Sequence, residues 1–212
     1  PRFEKAGADW AGLKHEIQPL GEIPRRSGRP STFGLVYNAV RTDMSDVALQ
    51  EVARENAAGA SLRPQTTCRP IGVVLGIQHR TPWARAGATW RSMEEMTVEQ
   101  RLALIRDENS RAQLIAEAND PEKTYGGSVL RADLSRLYLL DAENPNYRVG
   151  PDETLESLAE KAGVTPVEYF LDATDASDGS VMLTLPVLNQ DFAAIETMLE
   201  DESIVMGLAD AG

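Results

Sequence analysis

Residues 31–40 read STFGLVYNAV, and they open the segment that decides the fold. Residues 32–38 are short, apolar and rich in β-prone types, which predicts a buried strand. Residues 42–59, TDMSDVALQEVARENAAG, carry apolar positions at helical spacing, with Gly59 expected just beyond the helix end. Residues 61–65 predict a second strand. A strand, a helix and a strand within so short a span form a βαβ unit, whose two strands run parallel.

The rest of the chain predicts an α/β fold with a long helical segment between strands. Residues 89–118 are strongly helical, and Thr97 with Gln100 matches a capping box at a helix start. Residues 134–142, LSRLYLLDA, predict another strand. Thr165 is the expected first cap of a later helix, since proline and glutamate follow at the favoured positions. The chain therefore alternates strands and helices, with helices concentrated in its middle.

Composition and charge exclude several classes of partner. The chain has 33 acidic and 21 basic residues and a net charge of −12, which repels phosphate backbones and predicts no nucleic-acid partner. No apolar run approaches the length of a membrane span, so no membrane partner is expected. The single cysteine, Cys68, excludes an internal disulfide and favours a cytoplasmic location. We expect Cys68 to be a small buried side chain.

The stretch SIVMGLADAG, residues 203–212, predicts a functional carboxylate. Its apolar residues 204–206 predict a buried parallel strand, and Asp210 follows that strand after a glycine. The carboxyl ends of parallel strands are where α/β proteins assemble their sites. Asp210 is therefore a candidate general base; the alternative is that it merely caps a turn or a following helix.

Four segments resemble one enzyme family in the same order along the chain. They are GASLRPQTTCRPIGVVLGIQ (59–78), TWRSMEEMTVEQRLALIRDENSRAQLIAEA (89–118), TLESLAEKAGVTPVEYFLD (154–172) and VLNQDFAAIETMLEDESIVMGLADAG (187–212). Together they resemble the D-aminoacylase-like branch of the amidohydrolase superfamily, the N-acyl-D-amino-acid deacylases. The resemblance covers most of the chain from about Gly28 onward.

The resemblance implies a partial (β/α)8, TIM-type barrel with a mostly helical insertion before its last strand. It implies hydrolysis of a non-peptide C–N amide bond in N-acyl amino acids, with Asp210 as general base and acid and as a zinc ligand. The other zinc ligands would come mainly from parts of the parent protein absent from this chain. The chain would then be a fragment, inactive alone, whose partner is the rest of the parent barrel. Three regions are expected: a barrel βαβ segment in 1–80, a helical insertion in 81–133, and a return to the barrel in 134–212.

Two positions depart from the family pattern. Zinc-binding relatives carry a histidine on the strand that corresponds to residues 31–40, where this chain has Tyr37 and Asn38. A phenol and an amide are far weaker zinc ligands than imidazole. A tyrosine that polarises the substrate carbonyl is replaced by Thr66 and Thr67. The alternative reading is therefore a non-catalytic binding or scaffold protein on an amidohydrolase barrel that has lost metal ligands.

The remaining candidates for substrate binding are Gln65, Thr67 and Arg80. Gln65 ends a predicted strand and could donate a hydrogen bond to a carbonyl, while Arg80 could recognise a substrate carboxylate. The histidines, His15 and His79, are expected to be a helical and a loop residue rather than metal ligands. Trp83 and Trp90 lie at the ends of the loop segment WARAGATW. They would either form an apolar wall for an acyl chain or, as we favour, anchor the helical insertion to the barrel.

Overall fold

A computed structural model describes residues 11–39, 41–120, 134–141, 143, 145–146 and 148–207. The chain divides into two compact units, the first formed by residues 1–71 with 187–212 and the second by residues 72–186. The helices and strands are, in chain order, α1 (Ala11–Ser27), α2 (Met44–Ala57), β1 (Gln65–Thr66), β2 (Ile71–Gly76), α3 (Ala88–Ser92), α4 (Val98–Arg106), α5 (Glu108–Ala118), β3 (Tyr138–Leu140), α6 (Leu155–Ala162), α7 (Pro166–Ala176), β4 (Met182–Leu188), α8 (Phe192–Glu200) and β5 (Val205–Met206). Short 3-10 turns lie at Met93–Glu95, Leu134–Arg136 and Pro151–Glu153.

Three short extended segments lie side by side in the first unit, and all three are parallel. The central segment, β1, pairs with β5 on one side and is bridged to residues 31–34 on the other. The main chain of Gln65 bonds to residues 33 and 35, whereas the carbonyls of Pro64 and Thr66 accept hydrogen bonds from residues 205 and 207. α2 connects residues 31–34 to β1, so the predicted parallel pairing across a helix is confirmed. The predicted buried strand over residues 32–38 is wrong, because this segment forms only isolated bridges at Ser31 and Gly34, and the second strand is Gln65–Thr66 rather than residues 61–65.

The core of the first unit lies between its helices and these segments. α1, α2 and α8 each contribute buried side chains to it. The buried residues are Ile17, Leu35, Ala48, Val52, Leu62, Ile195 and Met198. The helix over residues 42–59 is confirmed as α2, and Gly59 follows it at φ 86°, a left-handed conformation that favours glycine.

The last strand is parallel as predicted, but it is not buried. Val205 is 45% exposed and Met206 is 64% exposed. An apolar run in the sequence predicts a strand, but it does not indicate how many other segments of the fold cover that strand. Within the described residues β5 pairs with β1 alone, so the predicted burial is wrong while the predicted parallel pairing is confirmed.

The second unit contains a three-stranded sheet in the order β2-β4-β3, together with α3 to α7. β3 is antiparallel to β4, with Leu139 opposite Leu183. The predicted strand over residues 134–142 is thus a 3-10 turn followed by the three residues of β3. The capping boxes expected at Thr97 and Thr165 are both present.

A cluster of aromatic rings lies among the buried residues of the second unit. The ring of Trp83 lies 5.3 Å from that of Phe170 and 5.7 Å from that of Trp90. Trp90 donates its indole N–H to the carbonyl of Leu114 at 2.9 Å. Both tryptophans therefore pack the helices of this unit together, while the anchoring of a helical insertion to a barrel stays a prediction.

The first unit is interrupted between Ile71 and residue 187, and the two ends of the interruption are held together. The side-chain amide of Gln190 donates hydrogen bonds to the carbonyls of Ile71 at 2.9 Å and of Leu188 at 2.8 Å. The chain is mixed α/β, and its described part contains no closed barrel. Its assignment to a (β/α)8 barrel and to three regions bounded at residues 80 and 133 stays a prediction. No helix in the described ranges is long and apolar enough to cross a bilayer.

Candidate functional site

The three parallel segments of the first unit end at a common edge. Residues 31–35, β1 and β5 run in the same direction, so their carboxyl ends lie together. Leu35 N–H donates to the carbonyl of Gln65 at 2.8 Å, and Gly207 N–H donates to the carbonyl of Thr66 at 2.9 Å. Parallel sheets place ligand sites at this edge, which makes it the candidate site.

Gln65 and Thr67, two of the predicted substrate-binding residues, lie at this edge. The half-buried side chain of Gln65 rests against the backbone of Gly207, where an added Cβ would lie 2.8 Å from its Oε1. Thr67 is buried, and its hydroxyl accepts a long hydrogen bond of 3.4 Å from Arg69 N–H. The structure thus brings both residues to one edge, and the lack of a side chain at residue 207 leaves room for Gln65.

Asn189 joins the ends of two of these segments. It is completely buried. Its Oδ1 accepts from Tyr37 N–H at 2.7 Å, and its Nδ2 donates to the carbonyl of Thr67 at 3.2 Å. The residue adopts φ 54°, and asparagine tolerates this left-handed conformation better than most residues. We had not predicted a role for Asn189; an asparagine immediately after an apolar strand was the available signal.

Thr66 carries the unsatisfied polar group of this edge. The residue is 2% exposed, and its hydroxyl has no hydrogen-bond partner in the described part of the chain. A buried hydroxyl without a partner costs about 1–3 kcal/mol, and such groups concentrate where a ligand completes the bonding. Thr66 is therefore a candidate contact for a bound polar group, at the position where the family that the chain resembles has a tyrosine.

Tyr37 contributes to the packing of the first unit. Its half-buried side chain packs against the hydrophobic core of the first unit, and its main chain bonds to Asn189. Within the ranges that the structure describes, no group of three or more His, Cys, Asp or Glu residues could hold a metal ion. The described residues therefore do not fit a zinc site by themselves.

The two buried carboxylates of the first unit are bound to arginines rather than available to a metal. Glu51 accepts hydrogen bonds from Arg54 at 2.6 and 3.0 Å. Glu55 accepts from Arg25 at 2.6 Å and from Arg54 at 2.5 Å. The hydrogen bonds from Arg54 hold the pKa of Glu51 below its ordinary value, against the raising effect of burial, with a further contribution from Gln18. This cluster joins α1 to α2.

The other predicted residues lie apart from this edge or outside the description. Asp210, the predicted catalytic residue and metal ligand, lies outside the described residues. Arg80 belongs to the second unit, where it lines a cavity of about 350 Å³ with His79 and Arg85. His15 lies exposed on α1, as expected of a helical residue.

The predicted burial of Cys68 is wrong. Its side chain is exposed, although we expected a buried one. Side chains alternate between the two faces along a strand, but this alternation stops at the end of β1. Thr66 and Thr67 are both buried, and the side chain of residue 68 is exposed. Local hydrophobicity predicts the preference of a cysteine for burial, but not where a strand ends.

The chain was compared with protein families, with curated proteins and with solved structures. No family model matches it, and neither does a curated protein or a solved structure.

Proposed function

We propose that this chain supplies the last strands of a metal-dependent amidohydrolase that resembles the N-acyl-D-amino-acid deacylases. One observation carries the proposal. The parallel order of residues 31–35, β1 and β5 matches the order of neighbouring strands in a (β/α)8 barrel, and Asp210 follows β5 in the sequence. The quoted segments that resemble the family supply the reaction class.

The proposed reaction is the hydrolysis of an amide between an acyl group and an amino acid. A water oxygen attacks the acyl carbonyl while the Asp210 carboxylate accepts the proton of that water. The C–N bond then breaks, and Asp210 returns the proton to the leaving nitrogen. The products are a carboxylic acid and a free amino acid, with no net consumption of the aspartate.

Three residues of the described edge have roles in this proposal. The amide N–H of Gln65 would donate to the acyl carbonyl, and Thr67 would line the bound substrate beside it. Thr66 adds an unpaired hydroxyl at the same edge. Recognition of the substrate carboxylate by Arg80 stays a prediction from the sequence: Arg80 belongs to the second unit, and no step above depends on it.

In this proposal, zinc would be bound by residues outside the described part of the chain. The proposal assigns its ligands to Asp210 and to parts of the parent protein absent from this chain. When bound, zinc would polarise the carbonyl and activate water. The described residues do not form such a site, so no step above depends on it.

One observation favours the alternative function. Tyr37, at the strand that carries a zinc-binding histidine in relatives, packs against the hydrophobic core. A barrel that has replaced a ligand in this way could serve as a binding or scaffold protein. Stoichiometric zinc in the intact parent protein would exclude that alternative; a well-folded, metal-free parent protein would support it.

The test is an assay of the intact parent protein, whose polypeptide mass is first measured. We expect hydrolysis of N-acetyl-D-amino acids, with weaker hydrolysis of the L-enantiomers. Asp210→Asn should lower kcat by about 10²–10⁴-fold, as removal of a general base does. Glu200→Gln, at an exposed position at the end of α8, is the matched control and should retain activity. Full activity in Asp210→Asn, or no amidase activity in the zinc-loaded parent protein, would overturn the proposal.

A further inference from the structure

A cavity of about 350 Å³ in the second unit is lined by an unusual number of basic groups. The loop after β2 contributes His79, Arg80 and Arg85, and α4 contributes Arg101. Its apolar wall includes Trp90, which is almost completely buried. A concave site with a few converging polar groups and an apolar wall is the usual form of a small-molecule site.

Arg101 fixes the shape of this cavity. Its guanidinium donates to the carbonyls of Ile77 at 2.6 Å and His79 at 3.0 Å, and to those of Met96 at 3.1 Å and Glu94 at 3.2 Å. These bonds tie the loop after β2 to the turn before α4. The positive charge of Arg101 is therefore held in place, and the loop that carries Arg80 and Arg85 is anchored at its beginning.

The side chains of Arg80 and Arg85 are available to a ligand as far as the described residues show. Neither guanidinium makes a hydrogen bond or an ion pair with another of the described residues. Elsewhere in the second unit Arg106 pairs with Asp175 at 2.6 Å, and Arg111 pairs with Asp172. In a chain with a net charge of −12, two unpaired arginines that face one cavity leave a local positive site.

We propose that this cavity binds a small oxyanion, a carboxylate or a phosphate, between Arg80 and Arg85. Arginine presents a planar fork of N–H donors that matches either group bidentately. One carboxylate, Glu94, also lines the cavity, but three arginines outweigh its charge. The volume accommodates a short organic chain on the anion, which would contact Trp90. The site rests on the second unit alone and goes beyond the amide hydrolysis proposed above.

The test is a binding titration of the full chain with sodium phosphate, sodium acetate and sodium butyrate. Sodium chloride at equal ionic strength serves as the reference, because it screens charge without offering an oxyanion. Tryptophan fluorescence reports binding, since Trp90 lines the cavity and Trp83 lies beside it. Calorimetry gives the stoichiometry. We expect saturable binding of one anion per chain, and the salt that saturates identifies the group, phosphate or carboxylate.

Variants distinguish the proposed site from general charge effects. Arg80→Gln and Arg85→Gln should each weaken binding about tenfold, as expected for loss of a charged hydrogen bond. Arg148→Gln changes an exposed arginine of the same unit that does not line the cavity, and it should bind as the unchanged protein does. Both loop arginines are exposed, so unchanged melting temperatures are expected. Equal binding by all variants, or a response that chloride reproduces, would overturn the proposal.

Discussion

Tyr37 and Asn189 hold each other through two hydrogen bonds in opposite directions. Tyr37 N–H donates to Asn189 Oδ1 at 2.7 Å, and Asn189 N–H donates to the Tyr37 carbonyl at 2.9 Å. The two residues are separated by most of the chain. This pair, together with the bond from Asn189 to Thr67, sets the positions of two strand ends at the candidate site.

Replacement of Asn189 should destabilise the first unit more than a typical substitution. Asn189→Ala removes two side-chain hydrogen bonds, leaves the partly buried N–H of Tyr37 without its acceptor and places alanine at positive φ, for a total loss of about 2–4 kcal/mol. Asn189→Gly makes the same deletion without the strain and should be about 1 kcal/mol more stable than the alanine variant. Urea denaturation measures both. Equal stability of the two variants would show that the backbone conformation carries no strain.

Replacement of Gly21 by alanine should lower the free energy of unfolding, whereas the same replacement at Gly12 of the same helix should not. A Cβ at Gly21 would collide with the Glu55 carboxylate and approach Arg25 Nη1 at 3.2 Å. Glu55 is held there by two arginines, so it has little freedom to move away. Gly21→Ala should therefore destabilise the chain by about 1–3 kcal/mol, the usual cost of overpacking.

Gly12→Ala provides the matched control, since no atom of the described residues lies within 4 Å of its Cβ position. Alanine favours helix, so this variant should be neutral or more stable by up to about 1 kcal/mol. Thermal denaturation compares the two. A stabilising Gly21→Ala would contradict the close packing of α1 against α2.

Acid should weaken the cluster between α1 and α2. Its hydrogen bonds with Arg54 lower the pKa of Glu51 from its ordinary value in the folded chain. A lowered carboxylate pKa contributes stability above the unfolded value, and that contribution is lost as the pH falls through the folded value. The free energy of unfolding should therefore fall below about pH 4.5, and Glu51→Gln should flatten this dependence.

Glu22→Gln is the control for that measurement, because Glu22 is exposed on the same helix. Denaturant titrations from about pH 3 to pH 7 give the slope for each variant. Glu51→Gln is also expected to be less stable near neutral pH, since Arg54 loses a charged partner. An unchanged pH slope in Glu51→Gln would contradict the assignment.

Thr66→Val should separate stability from function. The variant removes a buried hydroxyl that has no partner among the described residues and keeps its shape, so stability should be unchanged or higher by about 1 kcal/mol. Thr67→Val, which loses the contact with Arg69 N–H, should be slightly less stable. If the hydroxyl of Thr66 contacts substrate, kcat/KM of the intact parent protein should fall in Thr66→Val without any loss of stability. A large loss of stability would mean that the hydroxyl has a structural partner.

Local signals in the sequence predicted the local structure well. Thr97 and Thr165 begin helices because a hydroxyl and a carboxylate or amide three residues later satisfy free N–H groups within one turn. The parallel pairing across α2 followed from periodicity and from the glycine after that helix. These features depend on residues that are close in sequence, so the sequence contains the whole signal.

Contacts between distant residues could not be predicted in the same way. β4 pairs with both β2 and β3. Nothing in the three sequence segments indicates that they pair with one another. Asn189 contacts Tyr37 and Thr67 only because the chain returns to the first unit. The resemblance singles out Thr66, but the burial of its hydroxyl without a partner among the described residues depends on the folded chain. The exposure of β5 and Cys68 likewise depends on neighbours that the local pattern does not specify.

The bonds from Gln190 to Ile71 and Leu188 have a consequence for how such a chain can change. Because both ends of the interruption are held at one place in the first unit, residues 72–186 form a closed loop with a fixed base. Doubling the length of a flexible loop costs only about 0.6 kcal/mol in closure entropy. We therefore expect this position to tolerate domain replacement. A different domain whose two termini lie close together should be able to substitute for residues 72–186 without displacing the strand ends of the first unit.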